Sequence, residues 1–234
     1  MLAWQHYPVT RLEVSEQIRR IGILPSVLAS SMDDAVFAAY ELSQSGVPII
    51  ELTVNDAITL GAIEELRKRG DDVIVGAGEV VHVEIARQCV NAGAMFVTGP
   101  NLDREVVDYA HSKNIAVLPG ALTPTEVMNA WRAGGDFVKV FPCANLGGPR
   151  YIRALRGPYP DTPIIASGGV NAETVADFIR AGADAVGIGK ALVPYDAIQL
   201  RQASRIRTLA QRFRGLVEQG RADVAAVRLA DAKK

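Results

Sequence analysis

Four times along this chain an amphipathic stretch ends in a small residue and a glycine, and a short apolar run follows at once. The junctions are Ser45-Gly46-Val47, Ala92-Gly93-Ala94, Ala133-Gly134-Gly135 and Ala181-Gly182-Ala183. Glycine past the last turn of a helix accepts the left-handed backbone that ends it. The runs that follow include Ile49-Ile50, Met95-Phe96-Val97, Phe137-Val138 and Ala185-Val186. They lack the apolar/polar alternation of a half-solvated strand, so they suit parallel strands covered by helices on one face and by a core on the other. Filling the gaps gives eight strand candidates, beginning near Ile21, Ile49, Val73, Met95, Ala116, Phe137, Ile164 and Ala185. Their spacing, roughly 21 to 28 residues, is that of one βα unit.

Helices are predicted over Met32–Gln44, Ile58–Arg69, Asp103–Lys113, Thr125–Ala133 and Ala172–Ala181, with Ser31, Thr123-Pro124 and Asn171 at their starts as capping or first-turn residues. Eight repeats predict a closed (β/α)8 TIM barrel. No Gly-x-Gly-x-x-Gly turn follows the first strand, which disfavours an open doubly wound sheet. Residues 9–20 read as an N-terminal capping helix, and 198–218 as a long terminal helix. The 234 residues fit one barrel domain with its core over about 21–195, because this fold commonly takes about 250 residues.

Composition excludes several other classes. At 49% hydrophobic and 22% charged, the chain can bury a large core and is not of the disordered type. A net charge of -1, with basic residues scattered, gives no electrostatic footprint for nucleic acid. Arginines thicken after Leu200, and their helical spacing reads as a solvated helix face. Cys89 and Cys143 lack metal or redox spacing, as expected of a reducing compartment. The first residues show no basic patch leading into an apolar run, and no stretch approaches a membrane span of about 18 apolar residues. These features predict a cytoplasmic protein with neither nucleic-acid nor membrane partners.

In a barrel of this kind chemistry sits where strands end and βα loops begin. Of six lysines, Lys68, Lys113, Lys233 and Lys234 fall at helix ends or in the tail, whereas Lys139 stands in the apolar strand Phe137-Val138-Lys139-Val140-Phe141-Pro142. Burying an ammonium there is costly and favours the neutral amine, the form that attacks a carbonyl. Glu51, in Ile49-Ile50-Glu51-Leu52-Thr53, is equally out of place. A carboxyl beside an amine can move protons between carbinolamine, imine and enamine. A structural Glu51–Lys139 ion pair satisfies the same burial. His6, His82 and His111 are dispersed, with no acidic residue at ligand spacing, so no metal is expected.

The last two strands finish in glycine, as Ser167-Gly168-Gly169 and Gly187-Ile188-Gly189-Lys190. Loops at these two barrel positions often bind phosphate through backbone N–H groups. Ser167, Gly168, Gly169, Gly189 and Lys190 are therefore candidates for holding a phosphate or other anion, although glycine there can also simply ease the turns.

Several segments resemble the class I KDPG/KHG aldolase family (2-keto-3-deoxy-6-phosphogluconate and 4-hydroxy-2-oxoglutarate aldolases) in order and spacing. They are Gly46-Val47-Pro48-Ile49-Ile50-Glu51-Leu52-Thr53, Val75-Gly76-Ala77-Gly78, Phe96-Val97-Thr98-Gly99-Pro100, Leu118-Pro119-Gly120-Ala121-Leu122-Thr123-Pro124-Thr125-Glu126, Val138-Lys139-Val140-Phe141-Pro142 and Gly168-Gly169-Val170-Asn171. The resemblance implies an aldehyde-lyase that cleaves or forms a 2-keto acid, releasing pyruvate and an aldehyde. It implies no cofactor, a covalent imine through Lys139, proton transfer by Glu51, substrate contacts from Thr53, Asn55, Glu79, Pro100 and Phe141, and a cytoplasmic homotrimer. The chain departs from the family pattern at Glu79, where threonine is usual, at Asn55, where arginine is usual, and at Lys190, where serine is usual. Glu79 in the pocket would repel a substrate carboxylate unless protonated or paired. Those departures keep open a Schiff-base lyase or dehydratase acting on another carbonyl substrate, phosphorylated or not, or an altered barrel that binds a sugar phosphate.

Overall fold

The architecture was derived from a computed structural model that describes residues 10–54, 57–70 and 72–231. Nine strand segments form one parallel sheet: β1 Ile23–Val27, β2 Ile49–Thr53, β3 Ile74–Gly78, β4 Phe96–Thr98, β5 Ala116–Leu118, β6 Gly120–Ala121, β7 Val138–Val140, β8 Ile164–Ser167 and β9 Ala185–Ile188. The order is β5-β4-β3-β2-β1-β9-β8-β7-β6, so the two edges are β5 and β6. These edges are consecutive parts of one strand interrupted by Pro119, which has no N–H to give the ladder. The Lys139 amide donates across the gap to the Pro119 carbonyl at 2.9 Å. The nine segments thus occupy eight positions of a nearly closed (β/α)8 barrel, where eight unbroken strands were expected.

Helices α1 Arg11–Ile21, α2 Met32–Gln44, α3 Ala57–Arg69, α4 Val83–Asn91, α5 Arg104–Ser112, α6 Pro124–Arg132, α7 Pro149–Arg156 and α8 Val175–Arg180 accompany the strands. Their ends follow local chemistry. Ser31 caps α2 by accepting from the Asp34 amide, and Thr123 with Glu126 makes a capping box on α6. Gly46, Gly93, Gly134 and Gly182 all take left-handed φ values where their helices stop. Asn171 instead organises a turn, accepting from the Glu173 and Thr174 amides, and α8 begins only at Val175.

Helix α1 closes the bottom of the barrel. Its Val14 and Ile18 are buried, and the Arg19 guanidinium lies 5.1 Å over the Phe137 ring. Two aspartates brace this end. Asp136 accepts from Arg11 at 2.7 Å and from the Val117 amide at 2.9 Å; Asp184 accepts from Arg156 at 2.6 Å and from the Ile164 amide at 2.9 Å. Each carboxylate satisfies a strand amide that parallel pairing leaves open, and fastens a helix in the same step.

Two C-terminal expectations need correction. The single helix expected over 198–218 is two helices, α9 Tyr195–Gln199 and α10 Ala203–Asp231, separated by a corner at which Arg201 has φ 50°. The arginines beyond Leu200 do not merely form a solvated face. Arg201 pairs with Asp34 at 2.7 Å, and Arg207 pairs with Glu41. Both acids lie on α2 with nearly buried side chains, and an unpaired carboxylate there would be costly. Arg205 adds a pair to Asp196 of α9 at 2.6 Å.

Candidate active site

Alternate residues of a strand share a face, so the barrel interior is stacked in layers. Along the β7 segment the inward residues rise from Phe137 at the bottom, through Lys139, to half-buried Phe141 at the top. Along β4 they are Phe96, then Thr98, then half-buried Pro100. Phe96 fills the floor because β3 presents Gly76 there; a Cβ on Gly76 would overlap its ring. The polar layer sits directly above this apolar floor.

In that layer Lys139 Nζ stands 3.2 Å from Glu51 Oε1 and 3.1 Å from Thr98 Oγ1. Lys139 is 6% exposed, and Glu51 and Thr98 are each 1% exposed. Three glycines give this layer its shape. Glu51 extends across Gly78 of β3, where a Cβ would stand 2.5 Å from the Glu51 Cδ. Gly120 lies in register with Lys139 and packs on the Pro100 and Asn101 backbone, leaving no space for a side chain. Gly187 lies in register with Ser167 and abuts its hydroxyl. An amine, a carboxyl and a hydroxyl thus meet in a space that strands β2, β4 and β7 define and glycines keep open.

The glycine-rich ends of β8 and β9 border the same mouth. Gly168 and Gly169 are both left-handed, with φ 86° and 81°. Gly168 packs on Pro142, and its carbonyl accepts from the Ala144 amide at 3.1 Å. Ser167 is almost buried, Gly189 is half-buried, and Lys190 is exposed. Thr53 is half-buried at the end of β2, and its carbonyl accepts from Thr59 at 3.1 Å.

Of the two other expected substrate contacts, one lies within the described residues. Glu79 is exposed and its backbone is left-handed at φ 30°, a conformation uncommon outside glycine and asparagine. Its carboxylate therefore reaches solvent at the rim and is not enclosed beside the amine. Asn55 lies outside the described residues. Thr98 is the functional candidate that sequence reasoning passed over. It sits two residues before Pro100 on the same strand face, and this alternation alone could have pointed it inward. Among the described residues, no group of three or more His, Cys, Asp or Glu is arranged to hold a metal ion.

Fold and site together define the class: a class I aldolase, a carbon–carbon lyase built on a (β/α)8 barrel. The comparisons narrow it. The model of the aldolase family "KDPG and KHG aldolase" matches residues 14–209. The 2-dehydro-3-deoxy-phosphogluconate aldolase of Treponema pallidum (strain Nichols) is 30% identical over 200 residues, covering 86% of this chain and 95% of that protein. The KHG/KDPG aldolase of Escherichia coli (strain K12) is 28% identical over 198 residues, covering 84% and 93% respectively. Among solved structures, KDPG aldolase from Legionella pneumophila, with pyruvate captured at low pH as a covalent carbinolamine, superposes with a TM-score of 0.79. It is 26% identical and covers 89% of this chain and 98% of that one. The chain belongs to the KDPG and KHG aldolase family.

Proposed function

We propose that the protein cleaves and forms a 2-keto acid through an imine on Lys139, with pyruvate as the keto half and an aldehyde as the other. The observation that carries this reading is the buried Lys139–Glu51 contact of 3.2 Å inside the barrel. The Lys139 amine attacks the keto carbon, and Glu51 transfers protons at nitrogen, at the departing oxygen and at the adjacent carbon. The iminium is itself the electron sink, so the reaction asks for no separate cofactor. The carbinolamine of pyruvate captured in the Legionella relative supports the same first step here.

Ser167, Gly168, Gly169, Gly189 and Lys190 supply the donors and the positive charge for an anionic group, a phosphate on the aldehyde half being the substrate feature they suit. Thr53, Pro100 and Phe141 line the approach, Asn55 is retained as a further substrate contact on the family resemblance alone, and Glu79 at the rim contacts the polar aldehyde half, not the carboxylate beside the imine. We further propose one domain over residues 1–234, a homotrimer, and residence in the cytoplasm; among the described residues no helix is long and apolar enough to cross a membrane.

Borohydride tests the chemistry. With pyruvate present, reduction should add one pyruvate-derived mass to the protein, mapped to the peptide holding Lys139, and abolish cleavage of 2-keto-3-deoxy-6-phosphogluconate. An unlabelled Lys139 at saturating pyruvate refutes the reading. Neutral carbonyl donors run in parallel would show whether a carboxylate is required.

A further inference from the structure

We infer that Thr98 is a positioning residue of the imine chemistry: its hydroxyl aims the Lys139 lone pair, then holds the iminium N–H so that Glu51 is released to work on carbon. This inference rests on the reading of Lys139 as the nucleophile. It starts from Nζ having two buried oxygen neighbours, Glu51 Oε1 at 3.2 Å and Thr98 Oγ1 at 3.1 Å. A neutral primary amine has two N–H bonds and one lone pair. When one N–H points to Glu51 and the other to Thr98, the lone pair is left as the single unassigned direction on nitrogen. With Glu51 alone, rotation about the Cε–Nζ bond would spread that lone pair over several directions, most of them unproductive.

The hydroxyl becomes more important after attack. As Nζ bonds to the keto carbon, one of its two protons passes to the former carbonyl oxygen. That oxygen takes a second proton from the acid form of Glu51 and leaves as water. The other amine proton stays on the iminium nitrogen, and Glu51 is now a carboxylate. The nitrogen has one N–H and two oxygens able to accept it. If Glu51 accepts, the carboxylate needed for the next step is occupied. If Thr98 accepts, Glu51 is free to take a proton from the methyl carbon. The C–H electron pair then forms the carbon–carbon double bond of the enamine, and the C=N π pair returns to nitrogen.

The hydroxyl suits this role because it can accept from N–H or donate to a lone pair, whereas a carboxylate only accepts. Its position is firmly set. Thr98 lies in β4 in register with Leu118 of β5, and its carbonyl accepts from the Val80 amide at 2.8 Å. Thr98 is 1% exposed, so its hydroxyl is removed from bulk solvent.

The test uses full-length wild type, Thr98→Val, Thr98→Ala and Thr98→Ser, each with pyruvate alone. Two rates are compared: borohydride trapping at Lys139, which reports imine formation, and deuterium exchange of the pyruvate methyl group followed by NMR, which reports proton removal from carbon. Thr98→Val should slow trapping by about twofold to tenfold, the range expected for a lost hydrogen bond of a neutral amine, and should slow exchange by a larger factor, about tenfold to a hundredfold, because there the lost partner served the charged iminium. Thr98→Ser should recover most of both rates. If the valine variant does not fold, the alanine variant, which also lacks the hydroxyl, carries the same comparison. Wild-type rates in the hydroxyl-free variants overturn the inference, as does an equal loss in both steps or a failure of serine to rescue. If wild type itself traps no pyruvate, the functional reading falls and takes this inference with it; if wild type traps and the valine variant behaves like it, this inference alone falls.

Discussion

Gly78→Ala offers a test of the site that touches no chemical group. Gly78 closes β3 in register with Thr53, and its φ is not in the left-handed region, so alanine suits the backbone. The cost falls on Glu51. A Cβ at residue 78 would stand 2.5 Å from the Glu51 Cδ and 2.6 Å from its Cγ, where ordinary contact begins at 3.4 Å. The glutamate must therefore retreat by about 1 Å, comparable to a misplacement that can cost about a hundredfold in rate. Crowding of a packed core typically costs about 1–3 kcal/mol of stability, a loss a barrel of this size should survive folded. The assay is kcat/KM for cleavage of 2-keto-3-deoxy-6-phosphogluconate, alongside thermal melting. A fall of about two orders of magnitude with a cooperative melt is expected. Near-wild-type activity in a folded Gly78→Ala protein would show that Glu51 need not stand where the structure places it, and would leave the proton transfers without an assigned base.

Two more predictions concern stability and reactivity. Burial pushes the Asp34 carboxyl up, but hydrogen bonds from Ser30, Arg201 and Gln199 more than offset this and hold it below the usual carboxylate range. Because the folded-state value is depressed, its stabilisation is present above the unfolded value of about 3.9 and is lost as pH falls toward the folded value. Asp34→Asn should therefore flatten the acid limb of stability against pH in urea titrations, and an unchanged limb would refute the assignment. Burial also raises the thiols of Cys89 and Cys143, to about 11 and about 12. At pH 8 both should resist iodoacetamide in the native protein and react together once denatured, as mass spectrometry would show; rapid native labelling of either would contradict the burial.

The fold was legible wherever a local signal agreed with the packing. Helix α2 matches its expected span because Ser31 starts it and the Ser45-Gly46 pair ends it. The break at Pro119 was written in the sequence too, since proline lacks the donor a strand interior needs, but the apolar run on either side masked it. The corner at Arg201 had no comparable signal. Gln199-Leu200-Arg201-Gln202 contains neither glycine nor proline, and the left-handed backbone is held by the distant Asp34, which also binds the Gln199 side chain at 2.6 Å. At the site, Lys139 and Glu51 betrayed themselves as charges in apolar strands. Thr98 did not, because a threonine in a strand is unremarkable until its neighbours are known. Glu79 stood out as a departure from the family's threonine, but its left-handed backbone and its exposure were not written in the sequence.

The last helix runs on past its own contacts. At 29 residues α10 extends about 43 Å, and it is already exposed throughout 225–230 while its earlier turns are fastened to α2 and α8. The final turns hold up no wall of the chamber in which Lys139 works. They amount to a handle, one unbroken stem of helix that stands clear of the enclosed machinery in the single chain.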